Sequence, residues 1–132
     1  ESPRPAMLSA QFLRYAAVGA VSTLLHFLVL GAMVELAQAP AWLGSACGAL
    51  LGAQSGFIGN RCLTFAHRGA FWPAWWRFHV TAAGGMALGV ALVALLVWLG
   101  WHYLLAQALA TGVVLVLGYL VNRHWSFRPG PG

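Results

Sequence analysis

Two short segments of the chain place an asparagine and an arginine in the same surroundings. Residues 56–65 read GFIGNRCLTF and residues 118–127 read GYLVNRHWSF, so each has Asn-Arg, two variable residues, a hydroxyl residue and Phe. A guanidinium group binds phosphate through two parallel hydrogen bonds, and an asparagine amide adds a further donor. The pattern therefore indicates a phosphate-binding site. Its first candidate residues are Asn60, Arg61, Asn122 and Arg123.

The chain offers little for acid–base or metal chemistry. Its only carboxylate side chains are Glu1 and Glu35, and its five histidines show no metal-ligand spacing. It contains no phosphate-binding glycine loop, no serine-hydrolase motif and no Cys-x-x-Cys pair. Cys47 and Cys62 lie too far apart on one predicted helix to form a disulfide. We therefore expect no enzyme activity, no metal site and no cofactor.

The composition indicates a membrane protein. Hydrophobic residues make up 61% of the chain and charged residues only 7%, whereas soluble domains carry about a quarter charged residues. Apolar segments long enough to cross a bilayer occur at 15–36, 41–59, 78–99 and 103–121. These segments predict an all-α fold with four transmembrane helices. Ala37-Gln38-Ala39 resembles a signal-peptidase site, but the preceding apolar run is longer than that of a signal peptide, so the first segment is expected to remain as a helix.

The arginines predict the orientation of these helices. All seven basic residues are arginines, and they lie before the first segment, between the second and third, and after the fourth. The two other connections contain none. The positive-inside rule therefore predicts that both termini are cytoplasmic. Arginines at the ends of apolar runs suit anionic lipid headgroups rather than nucleic acid.

The arginine-aromatic start of the chain is also repeated. Residues 12–20 read FLRYAAVGA and residues 75–85 read WWRFHVTAAGG, and the interval from Arg14 to Arg77 matches that between the Asn-Arg pairs within one residue. The chain is therefore predicted to be one membrane domain of two helical hairpin repeats related by an axis along the membrane normal. The predicted bounds are about 12–65 for the first repeat, 66–76 for a cytoplasmic connection and 77–128 for the second repeat. Arg14 and Arg77 join the candidate phosphate ligands.

Small residues recur at every fourth position before each Asn-Arg pair. The stripes are Gly44, Gly48, Gly52 and Gly56 in the second segment, and Ala106, Ala110, Val114 and Gly118 in the fourth. Residues spaced by four share one helix face, and small residues there let another helix pack closely. Both asparagines continue this register, so we expect them to face protein. The hydroxyls of Thr64 and Ser126 are expected to bond backbone carbonyls freed at the helix ends.

Some candidates have a structural alternative. His26 and Gln54 are the polar residues expected to line a path through the membrane, but His26 could instead hydrogen bond a neighbouring helix. Arginines at helix ends commonly anchor topology, and we favour that role for Arg4, Arg68 and Arg128. For the other arginines both roles stay open, and Asn60 and Asn122 could instead cap their helix ends or bond across the repeat.

RYAAVG at 14–19, the four apolar segments and the two Asn-Arg segments together resemble the GtrA-like family of small four-helix membrane proteins. The resemblance implies translocation of a polyprenyl-phosphate-linked sugar across the bacterial inner membrane for cell-surface polysaccharide glycosylation. It equally admits an accessory role, in which the chain anchors or recruits a polyprenyl-phosphate glycosyltransferase. Family members often carry an acidic or amide residue midway through the first helix, where this chain has His26.

Two further expectations concern assembly and a third function. Four helices leave little room for a sugar path, so we expect a homodimer or a higher oligomer. A small multidrug exporter has a similar size and span number, but it would require a carboxylate deep in the first helix, and this chain has none there.

Overall fold

The computed structural model describes residues 4–129, and these residues are helical except for short connections. The elements are α1 (Pro5–Glu35), α2 (Ala41–Gly59), a π-helical segment π1 (Asn60–Thr64), α3 (Phe71–Trp98), α4 (Tyr103–Val121) and a second π-helical segment π2 (Asn122–Ser126). No strand occurs in this part of the chain. The all-α prediction is therefore confirmed.

Three of the helical stretches are long and apolar enough to cross a membrane. They are Pro5–Glu35, Phe71–Trp98 and Tyr103–Ser126, the last combining α4 with π2. Helix α2 has the predicted bounds, but it is not among these three stretches. The prediction of four spans is thus supported by length and composition for three helices.

The long helices begin earlier than the hydrophobic segments predicted. Helix α1 starts at Pro5 rather than near residue 15, and α3 starts at Phe71 rather than near residue 78. A hydropathy window finds the apolar centre of a helix and misses amphipathic first turns, and proline is well tolerated in a first turn because it needs no N–H partner there. Arg14 and Arg77 therefore lie within their helices, not before them.

The chain divides into two compact units, one ending at Ala66 and one beginning at His67. Unit 1 contains α1, α2 and π1, with α1 packed on both other elements. Unit 2 contains α3, α4 and π2, with α3 packed in the same way. Each unit therefore has a long helix, a shorter helix and a terminal π segment in the same order.

In unit 1 the glycine stripe of α2 receives the side chains and backbone of α1. Gly44, Gly48, Gly52 and Gly56 are all buried. A Cβ on Gly48 would lie 2.5 Å from Cδ2 of His26, and one on Gly52 would lie 3.0 Å from the carbonyl oxygen of Ser22. Later residues of α2 thus contact earlier residues of α1, so the two helices are antiparallel.

Unit 2 places its small residues on the opposite helix. A Cβ on Gly85 would lie 3.1 Å from Cγ1 of Val114, and one on Gly89 would lie 3.6 Å from Cγ2 of the same side chain. Counted back from the Asn-Arg pairs, Val114 corresponds to Gly52. Close approach needs a small residue on only one helix of a pair. This explains why α4 keeps a weaker stripe, in which Ala106 and Ala110 are buried and Gly118 is half-buried.

Candidate functional site

Each Asn-Arg segment forms a five-residue π-helix directly after a short α-helix. The backbone N–H of Phe65 donates to the carbonyl oxygen of Asn60 at 2.9 Å, and that of Phe127 donates to the carbonyl oxygen of Asn122 at 2.8 Å. Short π-helical turns are rare overall, and those that occur often lie at functional sites. The sequence pattern did not predict this conformation. Its one signal was the fixed spacing of five residues between Asn and Phe in both copies.

The two asparagine side chains are buried at the start of the π segments, with 3% exposure for Asn60 and 2% for Asn122. Oδ1 of Asn60 accepts a hydrogen bond from Oγ1 of Thr64 at 2.7 Å. In unit 2 the hydroxyl of Ser126 lies 3.3 Å from that of Thr81 on α3. The expectation that these hydroxyls bond freed backbone carbonyls is therefore wrong. Thr64 and Ser126 contact side chains instead, while the backbone carbonyl oxygens of Asn60 and Asn122 accept from the phenylalanine N–H groups.

An aromatic pair joins each π segment to the long helix of its unit. The rings of Tyr15 and Phe65 lie 6.4 Å apart between centroids, and those of Phe78 and Phe127 lie 5.9 Å apart. Such separations are typical of favourable aromatic packing. Tyr15 and Phe78 directly follow the arginines of the long helices. In each unit, therefore, the arginine of the long helix and the Asn-Arg pair lie at the same end.

The arginines at these ends differ in their surroundings. Arg14 is exposed, whereas Arg61, Arg77 and Arg123 are half-buried. The guanidinium carbon of Arg77 lies 6.0 Å from the centroid of a Trp125 ring, within the range of a cation–π contact. No Asp or Glu follows Glu35 in the sequence. Glu35 is the last residue of α1, so it lies at the opposite end of that helix from Arg14. Unit 2 consequently contains no acidic side chain to pair with its arginines.

A sequence model described as the GtrA/DPMS transmembrane domain matches residues 14–127. The chain belongs to this family. The match begins at Arg14 and ends at Phe127, so it includes both π segments and the aromatic pairs that hold them. No curated protein sequence matched the chain significantly.

Several polar residues of this GtrA/DPMS domain lie on α1 and α2. The ring of His26 packs against Gly48, and its Nε2 atom is buried without a hydrogen-bond partner among residues 4–129. Gln54 is half-buried on α2. The hydroxyl of Ser55 donates to that of Ser22 at 3.1 Å and links the two helices. This serine pair was missed because neither residue belongs to a recognisable motif.

The same domain shows no arrangement suited to metal binding within residues 4–129, where no three His, Cys, Asp or Glu side chains come together. Both cysteines are free thiols; Cys47 is half-buried and Cys62 is exposed. The groups gathered at the ends of the two units are thus guanidinium, amide and hydroxyl groups. Such groups bind anions through charge and directed hydrogen bonds.

Proposed function

We propose that this GtrA/DPMS domain translocates a polyprenyl-phosphate-linked sugar across the bacterial inner membrane for cell-surface polysaccharide glycosylation. The family match over residues 14–127 carries this proposal, because it relates the chain to membrane domains of polyprenyl-phosphate sugar pathways. In this role the chain carries a lipid and makes or breaks no covalent bond. It works without a cofactor.

The half-buried Arg61 and Arg123 are the proposed ligands of the lipid phosphate, assisted by Arg14 and Arg77. Each directly follows the buried asparagine at which its π segment begins. Guanidinium groups bind phosphate in bidentate fashion. The sugar would then pass between helices along polar groups such as His26 and Gln54, while the polyprenyl tail stays in lipid.

The proposed topology follows the arginines. The two units would be helical hairpins of the same orientation, with both termini in the cytoplasm. All seven arginines fall in the terminal segments or in the connection between the second and third predicted spans, which would lie on the same side of the membrane. Anionic lipid headgroups on that side would bind the remaining arginines. We propose a homodimer or a higher oligomer, since a four-helix chain encloses little space for a sugar.

Transport in proteoliposomes tests this function. Purified protein is reconstituted with a polyprenyl-phosphate-linked sugar, and the fraction accessible from outside is followed with time. The Arg61→Gln/Arg123→Gln variant is expected to lose transport. The Arg4→Gln/Arg68→Gln variant removes the same charge from residues assigned to anchoring, and it is expected to transport normally. Equal activity of the two variants would overturn the phosphate assignment.

An accessory role is the second candidate, and the family description favours it because it also names the DPMS transmembrane domain. The chain would then anchor or recruit a polyprenyl-phosphate glycosyltransferase. This role predicts co-purification with such an enzyme and no transport by the chain alone. A multidrug exporter is the weakest alternative, because α1 carries its only carboxylate, Glu35, at its last residue.

A further inference from the structure

Unit 2 contains a cavity of about 440 Å³ beside the first turns of α3. This volume is within the range of about 300–1,000 Å³ that is typical of small-molecule sites. The cavity is lined by polar and small residues from α3, from the connection before it and from the chain after π2. Those that shape it are His67, Gly69, Pro73, Ala74, Arg77 and Arg128.

Two aromatic residues, one in π2 and one directly after it, contact polar residues of the lining. The ring of His67 meets that of Phe127 edge-on, with 5.6 Å between centroids. Arg77 lies over Trp125, and Arg128 directly follows Phe127. A Cβ on Gly69 would lie 2.8 Å from Nε2 of His67, so glycine there leaves room for the imidazole.

Unit 2 supplies no carboxylate side chain to balance the charge of this cavity. The half-buried Arg77 and the exposed Arg128 line it, and no Asp or Glu follows Glu35 in the sequence. The cavity also adjoins the N-terminal end of α3, where the helix dipole is positive. Like charges held close together are unfavourable unless an anion lies between them.

The corresponding positions of unit 1 carry a different set of residues. The residue that follows Phe65 is Ala66, where unit 2 has Arg128 after Phe127. Arg14, which corresponds to Arg77, is exposed rather than half-buried. The sequence repeat suggests two equivalent arginine sites, but only unit 2 has a second guanidinium group at this position.

We propose that the unit 2 cavity binds a phosphoryl group between Arg77 and Arg128, with His67 as an additional polar ligand. The site deepens the proposed function and rests on it for the identity of the natural ligand, a lipid-linked phosphate. Arg128, which the sequence analysis assigned to anchoring, becomes a binding residue. The site lies within one unit and needs no contribution from Arg61.

Binding measurements test this site independently of transport. The protein is placed in nanodiscs of phosphatidylcholine and titrated with inorganic phosphate, with phosphatidic acid or with farnesyl phosphate. Binding of inorganic phosphate would indicate a soluble source, and binding of all phosphate lipids a general headgroup site. Binding of farnesyl phosphate alone would indicate an isoprenoid ligand. Each of these binding results supports the cavity assignment if the arginine variants change the affinity in the expected way.

Arg77→Gln and Arg128→Gln are each expected to weaken binding by about tenfold or more, since each removes a charged hydrogen-bond donor. Arg68→Gln removes an exposed arginine that does not line the cavity, and it should alter affinity by less than about twofold on the same scale. Unchanged affinity in Arg128→Gln, or an equal loss in Arg68→Gln, would overturn the cavity assignment. If the cavity assignment failed in this way but Arg61→Gln/Arg123→Gln still lost transport, the proposed function would stand without this site. If Arg128→Gln lost binding but the unaltered protein showed no transport, the cavity assignment would stand without the proposed function.

Discussion

Gly48 of α2 lies so close to His26 of α1 that a Cβ at Gly48 would be 2.5 Å from Cδ2 of the imidazole and 2.6 Å from the histidine carbonyl oxygen. Neither neighbour is the end of a flexible chain, because the imidazole contact is to a ring atom and the carbonyl is backbone. The two helices must therefore move apart to accept any side chain at this position. This contact makes a sharp test of the glycine stripe.

Gly48→Ala is expected to lower stability by about 1–3 kcal/mol, the usual cost of overpacking, despite the better helix propensity of alanine. Gly31→Ala is the matched control on α1, because a Cβ there meets nothing within 4 Å. It should be neutral or stabilising by up to about 1 kcal/mol. Thermal unfolding in detergent micelles measures both. Equal melting temperatures for the two variants would contradict the packing.

Unit 2 offers a comparison between adjacent glycines of α3. A Cβ on Gly85 would lie 3.1 Å from Val114, whereas one on Gly84 meets nothing within 4 Å. Gly85→Leu should therefore destabilise unit 2 by about 1–3 kcal/mol, and Gly84→Leu should have little effect. The same unfolding measurement applies. A larger loss in Gly84→Leu would show that α3 presents a different face to α4.

The Asn60–Thr64 hydrogen bond predicts a difference between two substitutions of Thr64. Thr64→Val removes the donor and leaves a buried amide oxygen unsatisfied, which costs about 1–3 kcal/mol. Thr64→Ser keeps the hydroxyl and should retain most of the stability, as expected from the serine that unit 2 has at this position. Chemical or thermal unfolding would distinguish the two. Similar losses in both variants would show that the methyl group, rather than the hydroxyl, matters.

Cys62 permits a direct test of orientation. Its thiol is exposed and directly follows Arg61, so the proposed topology places it on the cytoplasmic side. In a Cys47→Ser background, a membrane-impermeant maleimide should label Cys62 in inverted vesicles but not in intact spheroplasts. A Gln38→Cys variant lacking both native cysteines should give the opposite pattern. Labelling of Cys62 from the outer face would reverse the topology.

Much of the fold could be predicted from periodicity and composition. Helices α2 and α4 begin and end at the predicted residues, because their apolar runs are bounded on both sides. The starts of α1 and α3 could not be predicted in this way, since the first turns of both helices are amphipathic or aromatic rather than uniformly apolar. Local hydropathy carries no information about such turns.

The candidate site, too, could be predicted from the sequence only in part. The repeated Asn-Arg-x-x-(Thr/Ser)-Phe pattern singled out the residues, but it did not distinguish a π-helical turn from an ordinary helix end. That conformation depends on burial of the asparagines and on packing of Phe65 and Phe127 against rings of the long helices. These contacts join residues far apart in sequence, so no local pattern contains them.

The sequence by itself determined the membrane class, the duplicated pattern and the scarcity of carboxylates, because each depends only on which residues occur and at what spacing. The tertiary structure alone decided that His26 packs into the glycine stripe of unit 1, and that Val114 faces glycines of the partner helix in unit 2. It also decided that Arg77 and Arg128 line one cavity. Close packing and charge proximity depend on three-dimensional distances, so two units with matching sequence patterns differ in their helix packing and in the surroundings of their arginines.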